Sequence, residues 1–219
     1  MSVQVKICGI NTIDAADAVA RAGADFAGLV FFPKSPRHVS YDQAMALTDR
    51  LRGGPQIVGL FVNADDSTIA EAIASARPDY LQLHGTETPA RTGQIAARFG
   101  VPIIKALAIA EPADLAAAKA YDEVADHILF DAKAPAHAER PGGHGAPFDW
   151  KILSGLVLSR PFILAGGLTA ENVGRAVRAS GAQMVDTSSG VEIAPGRKSP
   201  EKIIEFVKAS RNASYSESA

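Results

Sequence analysis

The feature that most constrains the fold of this chain is an end-to-end alternation of short apolar runs with longer alanine-rich segments. Each run is mostly β-branched or aromatic, and many end at Gly, Pro, Asn or Asp, as strands do. The eight predicted strands are Val3–Ile7, Phe26–Phe31, Ile57–Val62, Tyr80–Leu83, Ile103–Ala108, His127–Phe130, Phe162–Ala165 and Gln183–Val185.

The segments between these runs carry helical patterns, and several begin with recognisable start signals. Asn11 or Thr12 precedes the first helix, Thr169 precedes "AENVGRAV", and Ser199 is followed by Pro200. Between the sixth and seventh strands only "DWKILSG" is available for a helix. The other predicted helices are Thr12–Ala22, Tyr41–Leu51, Asp65–Ala76, Thr88–Phe99, Pro112–Ala120, Ala170–Ala179 and Pro200–Ser210.

The number of strand–helix units predicts the architecture. The 219 residues allow roughly 27 per unit, which is enough for one βαβ step each. No shift in composition and no Pro/Gly/Ser-rich linker divides the chain. We therefore predict an α/β fold with one domain, a closed (β/α)8 TIM barrel over residues 1–210. Residues 211–219 are polar, and we expect them to form a disordered tail.

Bulk properties restrict the partners and the compartment. A formal net charge of −2 gives no reason to expect nucleic acid or an acidic membrane surface as partner. A single cysteine cannot form an internal disulfide, which fits a reducing compartment. No apolar signal segment precedes Lys6, and no run of about 18 apolar residues appears. We expect a cytoplasmic monomer or homodimer that acts on a small molecule.

The first strand presents the only cysteine at its carboxyl end, where barrel enzymes place their reactive groups. In "VQVKIC" the residues Val3, Val5 and Ile7 share one face, and Cys8 lies on the other face with Lys6. The apolar face suits packing under the helices, so we expect Cys8 to point into the barrel mouth. Free cysteines are also common as buried packing residues, and that alternative stays open at this point.

The sixth strand ends in the second candidate catalytic residue. In "HILFD" the alternation places Asp131 on the same face as His127 and Leu129. The long segment "AKAPAHAERPGGHGAPF" follows without a helical pattern, and loops of this length are uncommon unless functional or disordered. Its glycines supply hinges suited to a loop that covers a substrate. The alternative is that Asp131 is a turn or cap residue.

Two glycine-containing stretches at the ends of the last two strands suggest a phosphate site. "LAGGLTAENV" and "VDTSSGVE" follow strands seven and eight, where barrels often bind phosphate. Glycine lets backbone N–H groups approach an anion, and helix N-termini favour negative charge. Structural turns are the alternative interpretation. The candidate substrate-binding residues in these stretches are Gly166, Gly167, Asp186, Ser188, Ser189 and Gly190.

The loop "FFPKSPRHVS" after the second strand offers cations near the mouth. Its prolines favour an extended path, and Arg37 and Lys34 are its basic residues. Arg37 is the better candidate for a substrate carboxylate because a guanidinium can bind both oxygens. A solvated loop charge is the alternative. The five histidines lack the spacing typical of a metal site, so we predict no metal.

Taken together and in order, these motifs resemble one enzyme family over the whole chain. "KICGI", "GLVFFPKSPRHVS", "QLHG", "FDA", "GGHGAPFDW", "LAGGLTAENV" and "DTSSGVE" are similar to phosphoribosylanthranilate isomerases of tryptophan biosynthesis. The resemblance implies a (β/α)8 barrel and an Amadori rearrangement that needs no cofactor. The substrate would be N-(5-phosphoribosyl)anthranilate, and the product 1-(2-carboxyphenylamino)-1-deoxyribulose 5-phosphate.

The resemblance also implies roles for individual residues. Cys8 would be the general base, Asp131 the general acid, and Arg37 the partner of the anthranilate carboxylate. The glycines of "AGGL" and the Ser-Gly of "DTSSGVE" would hold the phosphate. We expect the bound substrate and the barrel mouth together to favour the thiolate of Cys8, and Asp131, with a raised pKa, to stay protonated long enough to donate to the ring oxygen. One departure is visible, since His144 replaces a threonine that is common in the family's loop.

Three other functions are compatible with a phosphate-binding barrel. The isomerase of histidine biosynthesis acts on a similar aminoaldose but resembles a two-aspartate pattern, which Cys8 does not fit. Indole-glycerol-phosphate synthase is similar in fold and uses a lysine and a glutamate that we do not identify here. A non-catalytic sugar-phosphate sensor would keep the glycine motifs without needing Cys8 or Asp131.

Overall fold

The computed structural model of the protein describes residues 2–133 and 148–213. Eight parallel strands form a closed barrel in chain order, and the last strand pairs with the first. The predicted (β/α)8 barrel is confirmed. The strands are β1 (Gln4–Cys8), β2 (Phe26–Val30), β3 (Gln56–Phe61), β4 (Tyr80–Leu83), β5 (Ile103–Ile109), β6 (His127–Ala132), β7 (Ile163–Leu164) and β8 (Met184–Thr187).

Seven α-helices and short 3₁₀ segments connect the strands within the described ranges. The predicted helix at Pro112 begins as a 3₁₀ segment, Pro112–Ala117, before α5, and "DWKILSG" forms only a 3₁₀ turn at Trp150–Leu153. No helix in the described ranges is long and apolar enough to cross a membrane. The helices are α1 (Ile13–Ala22), α2 (Tyr41–Leu51), α3 (Asp66–Ala76), α4 (Pro89–Phe99), α5 (Ala118–Asp122), α6 (Val173–Ser180) and α7 (Pro200–Arg211).

Two of the predicted helix starts are confirmed and one is wrong. Thr12 and Ser199 are N-caps, and each side chain accepts the backbone N–H three residues later. Thr169 does not cap α6, because that helix begins only after Asn172. The Asn172 side chain accepts the N–H of Thr169, so the chain makes an extra turn before the helix.

The two faces of the strands separate as their alternation predicts. Val3, Val5 and Ile7 are fully buried in the main core between strands and helices. Inside the barrel a second apolar cluster fills the interior, and Cys8 packs above it with Val30 and Leu60. Cys8 therefore lies at the mouth, on top of a filled barrel. The interior cluster consists of Phe26, Val58, Ile104, Ala106, Leu129, Ile163, Ala165 and Met184.

A small antiparallel hairpin that was not predicted from the sequence follows β8. Its strands are β9 (Glu192–Ala194) and β10 (Arg197–Lys198), which are too short to show an alternation. Gly196 in the turn has φ 78°, and a Cβ atom there would lie 2.4 Å from the carbonyl oxygen of Pro36. The hairpin thus packs against the loop that follows β2.

The last helix is bound to the N-terminal part of the chain. Arg211, predicted to begin the disordered tail, instead ends α7 and donates to the Gly23 carbonyl and to Asp25, each at 2.8 Å. Ala213 is also buried, so the ordered chain extends beyond the predicted boundary. Residues 214–219 of the predicted tail lie outside the described residues.

Candidate active site

Cys8 ends β1 with its side chain directed into the mouth and only 5% of its surface exposed. The neighbouring strand β2 carries Gly28 opposite it in the register. A Cβ atom at Gly28 would lie 3.0 Å from the Cys8 Sγ and 3.2 Å from the Lys6 Nζ. The missing side chain at position 28 therefore gives the thiol and the ammonium group their space.

Lys6 lies one layer below Cys8 and is almost completely buried. Its Nζ donates to Oδ1 of Asp186 at 2.9 Å across the pairing of β1 with β8. Burial alone would lower the pKa of Lys6, but the negative charges of Asp186 and Cys8 raise it above its ordinary value. Asp186, predicted to bind substrate, is thus held by Lys6 inside the barrel.

The surroundings of Cys8 do not lower the pKa of its thiol. Burial raises this pKa, and the positive charges of Lys6 and Lys198 offset that effect only in part, while Asp186 adds to it. The protein groups alone therefore do not favour the thiolate, and the expectation that the bound substrate and the barrel mouth together do so stays a prediction. Desolvation is a property of packing, which strand alternation does not reveal.

Arg37 lies in the loop after β2 and is held by a residue of the hairpin. Its Nε and Nη2 donate to the two carboxylate oxygens of Glu192 at 2.7 and 2.8 Å, and both side chains are buried. A Cβ atom at Gly9 would lie 2.6 Å from Cδ of Arg37, so this glycine makes room for the arginine. The fork predicted for a substrate carboxylate already binds Glu192, which leaves Nη1 outside this pair.

Lys198 connects the hairpin to the loop after β8. Its Nζ donates to Glu192 Oε1 at 2.8 Å and to the carbonyl and hydroxyl oxygens of Ser188 at 2.9 and 3.1 Å. Burial lowers the pKa of Lys198 to about 8, although Glu192 opposes this shift. The hydroxyl of Ser188 donates in turn to the carbonyl of Cys8 at 3.0 Å. Ser188, predicted to bind phosphate, therefore supports Cys8 and Lys198.

The loops after β7 and β8 come together as the sequence predicted. Gly166 and Gly167 have φ values of 85° and 63°, and their backbone N–H groups donate to no other described residue. A Cβ atom at Gly190 would lie 1.9 Å from the carbonyl oxygen of Leu168, so only glycine fits there. Ser189 begins the 3₁₀ turn that contains Gly190. The loop after β7 thus presents two backbone N–H groups without a described partner, next to the loop after β8.

Asp131 ends the inward face of β6 on another part of the mouth, with 8% of its surface exposed. Its Oδ1 accepts the N–H of Ala132 at 2.8 Å, and its Oδ2 lies 3.2 Å from Nε2 of His84. The other ring nitrogen of His84 lies 2.8 Å from Nε2 of Gln82, which is fully buried. Asp131 is thus oriented from two sides.

A buried ion pair fixes the loop that carries His84. The Nζ of Lys105 donates to Glu87 Oε2 at 2.9 Å and to the carbonyl oxygens on either side of His84. Glu87 accepts the N–H groups of Asn63 and Gly85 at 2.7 and 2.9 Å. Burial lowers the pKa of Lys105, an effect that Glu87 offsets only in part. This pair holds the backbone beside the site.

Several residues of the site were not predicted from the sequence, and the predicted covering loop is only partly described by the structure. Gln82 in β4 and His84 directly after it are two positions apart in "QLHG", the spacing that places two side chains on one face of a strand. Glu192 and Lys198 lie in strands too short for pattern analysis. His144 and most of the predicted covering loop lie outside the described residues.

Comparisons with known proteins agree with this arrangement. A family model described as N-(5'-phosphoribosyl)anthranilate (PRA) isomerase matches residues 5–209. A protein named N-(5'-phosphoribosyl)anthranilate isomerase from Rhodopseudomonas palustris strain BisB5 is 51% identical over 211 residues, 96% of this chain and 97% of the relative. One of the same name from Paramagnetospirillum magneticum strain AMB-1 is 52% identical, over 96% of this chain and 98% of its own.

Solved structures give the same result. Phosphoribosyl anthranilate isomerase from Thermotoga maritima has a TM-score of 0.84 and 35% identity, covering 95% of this chain and 98% of its own. A second structure holds reduced 1-(o-carboxyphenylamino)-1-deoxyribulose 5-phosphate; it has a TM-score of 0.80 and 32% identity, with the same coverage. Sequence and structure agree over nearly the whole chain, and the chain belongs to the N-(5'-phosphoribosyl)anthranilate isomerase family.

Proposed function

We propose that this protein catalyses the Amadori rearrangement of N-(5-phosphoribosyl)anthranilate to 1-(2-carboxyphenylamino)-1-deoxyribulose 5-phosphate in tryptophan biosynthesis. The observation that carries this proposal is the placement of a thiol and a carboxyl group, Cys8 and Asp131, at the ends of two strands facing one barrel mouth. An aldose-to-ketose shift on an amino sugar needs one acid and one base and no redox cofactor.

Asp131 acts first, as the general acid. Its carboxyl group gives a proton to the ring oxygen while the bond from C1 to that oxygen breaks. The lone pair of the anthranilate nitrogen then forms the C1=N bond of a Schiff base. The N–H of Ala132 and the ring of His84 hold the carboxyl group in a fixed plane, which aims its proton.

Cys8 acts second, as the general base. Its thiolate removes the proton from C2, the electron pair of that bond forms C1=C2, and the C=N electrons return to nitrogen. The resulting enolamine tautomerises to the ketone. Because burial raises the pKa of the thiol, the charges of Lys6 and Lys198 are needed to make the thiolate accessible near neutral pH.

The other predicted site residues bind, or support the binding of, the two anionic groups of the substrate, its phosphate and its carboxylate. The phosphate binds at the backbone N–H groups of Gly166, Gly167 and Gly190, with the hydroxyl of Ser189 as a further donor. The carboxylate binds at Arg37, whose Nη1 lies outside the pair with Glu192. The relative's ligand likewise carries one carboxyphenyl group and one phosphate. Asp186 and Ser188 support the site through Lys6 and Lys198.

The remaining parts of the proposal concern setting and assembly. The substrate is a small molecule, and we place the reaction in the cytoplasm without a nucleic-acid or membrane partner. The protein acts as a monomer or a homodimer. The phosphoribosylanthranilate isomerase of Thermotoga maritima is described as dimeric, and monomers of it have been generated.

A fluorescence assay tests the proposal directly. We expect the purified protein to remove the fluorescence of freshly generated phosphoribosylanthranilate, with the ketose product confirmed by chromatography. Cys8→Ala is the matched control, and it should leave only the background rate. A wild-type protein that binds the reduced product analogue without turnover would be a sensor. Turnover of the histidine-pathway aminoaldose alone would identify a different isomerase.

A further inference from the structure

Gln82 in β4 and His84 directly after the strand form a hydrogen-bonded pair that the acid–base scheme does not use. We infer that Gln82 and His84 are positioning residues that fix the imidazole in its Nε2–H form, so that it donates to Asp131. The inference rests on the proposed function, because it concerns the general acid of that reaction. It adds a defined tautomer and a defined direction of hydrogen bonding to the site.

Polar contacts run from Gln82 to His84 and from His84 to Asp131. Gln82 is fully buried within β4, and its Nε2 lies 2.8 Å from Nδ1 of His84. The opposite nitrogen of the ring, Nε2, lies 3.2 Å from Oδ2 of Asp131. An amide N–H facing Nδ1 makes that nitrogen an acceptor, so the single proton of the neutral ring is on Nε2.

The buried amide of Gln82 favours this direction over the reverse one. In the present orientation its Oε1 is one of four buried side-chain atoms without a hydrogen-bond partner among the described residues. Reversal would place an amino group at that position, and an unpaired buried N–H is rarer in proteins than an under-satisfied carbonyl oxygen. Reversal would also turn the lone pair of Nε2 toward the carboxylate of Asp131. Both effects select the Nε2–H tautomer.

The chemical consequence concerns the carboxylate that remains after proton donation. Oδ1 of Asp131 then accepts the N–H of Ala132, and Oδ2 faces Nε2 of His84 at 3.2 Å, so each oxygen still has a lone pair for the transferable proton. A neutral donor stabilises the carboxylate less than a cation would. It therefore helps Asp131 release its proton without keeping the residue permanently ionised.

Charged groups on the adjoining elements are balanced by partners of their own. Behind the β4 loop, Lys105 of β5 pairs with Glu87, and across the mouth Lys6 of β1 pairs with Asp186 of β8. Lys133, which follows β6, pairs with Asp114. His84 is thus the described side-chain donor that approaches the carboxylate of Asp131 most directly.

Variants of His84 separate positioning from packing. His84→Leu should lower kcat by about 10- to 100-fold with a much smaller change in KM, as when a group orienting a catalytic residue is lost. The pH profile of kcat should show one inflection moved to higher pH, because the carboxylate has lost a donor. In His84→Gln the side-chain amide can donate to Asp131 again, so this variant should recover most of the rate and the wild-type profile.

Variants of Gln82 test the tautomer. Gln82→Glu places a carboxylate at Nδ1 and favours an imidazolium, so the same inflection should move to lower pH, opposite to His84→Leu. Gln82→Met fills the same space without a donor and should leave that inflection near its wild-type position with a lower kcat. The inflection of Cys8, followed separately by alkylation with iodoacetamide, should stay in place in all four variants.

The outcomes distinguish the inference from the proposed function. A wild-type protein without turnover contradicts the function, and the ring can then still be tested by ¹⁵N NMR. The His84 signals, assigned by their loss in His84→Gln, should show a protonated Nε2 and an unprotonated Nδ1. A protonated Nδ1 overturns the inference. So does an active wild type whose rate and pH profile His84→Leu leaves unchanged, or a His84→Gln protein as slow as His84→Leu.

Discussion

The proposed base, Cys8, and the proposed acid, Asp131, lie on two sides of the mouth that differ in charge balance. The base side has three cations and two anions around the thiol, while the acid side has one buried cation that is fully engaged by a glutamate. We define the base side as Lys6, Cys8, Arg37, Asp186, Glu192 and Lys198, and the acid side as Gln82, His84, Glu87, Lys105 and Asp131.

Because their charge balance differs, the two sides differ in the negative charge that they can stabilise. One cation in excess stabilises a negative charge, either the thiolate of Cys8 or an anionic group of the substrate. On the acid side the charge of Lys105 is matched by Glu87, and the nearest polar neighbours of Asp131 are the N–H of Ala132 and the ring of His84. The two groups proposed for proton transfer thus lie in different charge environments, and the cations of the base side offset the effect of burial on the pKa of Cys8 only in part.

Removing either reacting group should have the largest effect. Cys8→Ser and Asp131→Asn should each lower kcat by ~10²–10⁴-fold, because each nearly preserves shape and removes a proton-transfer group. Steady-state kinetics gives the rates, and calorimetry with the reduced product analogue should show nearly normal binding. If Cys8→Ser turns over near the wild-type rate, the thiol is a packing residue and the contrast between the two sides has no catalytic meaning.

Arg37 should give the next largest effect and tests whether the base side binds the substrate. Arg37→Ala should cost about 2–5 kcal/mol of binding free energy, the range for losing one partner of a buried charge pair. Arg37→Lys should recover only part, since an ammonium group cannot hold Glu192 and a second carboxylate in a fork. Calorimetry with the reduced product analogue measures both.

An analogue without the carboxylate is the control for Arg37. Wild type and Arg37→Ala should bind this analogue almost equally if the guanidinium recognises that group. A large remaining difference would show that Arg37 acts mainly by holding Glu192 and Lys198 in place.

The smallest expected effect is a shift in the pKa of the Cys8 thiol. It compares the base side with the acid side most directly. Lys198→Met removes a cation and should move the pH profile of Cys8 alkylation by iodoacetamide upward, while Asp186→Asn should move it downward. Each change should amount to about one pH unit or less, equal to ~1.4 kcal/mol at most. Glu87→Gln, on the acid side, is the matched control and should leave the profile unchanged.

Wild-type alkylation should also carry the signature of Lys198 itself. Because burial lowers the pKa of Lys198 to about 8, its charge and its help to the thiolate decline as pH rises past that value. The rise of reactivity with pH should therefore be shallower in wild type than in Lys198→Met. Equal slopes would mean that Lys198 does not influence Cys8.

The sequence predicted the barrel and the inward, strand-end placement of Cys8 and Asp131 for a physical reason. Strand alternation has a period of two, so Cys8 and Asp131 could be assigned to the inward face and to the carboxyl end of a strand. The pair of Arg37 with Glu192 joins residues 155 positions apart, and no local pattern encodes such a contact. The raised pKa of Cys8 depends on burial, which follows only from the packed structure.

The pairing of β1 with β8 also determines when during synthesis the site can form. Lys6 and Asp186 are 180 positions apart, whereas the acid side lies within one stretch from Gln82 to Asp131. A chain leaving the ribosome can therefore make the acid-side contacts early, but closing the large loop between β1 and β8 must wait. Arg211, which ties α7 to Gly23 and Asp25 ahead of β2, emerges later still. Catalytic competence therefore arrives with the final segment of the chain.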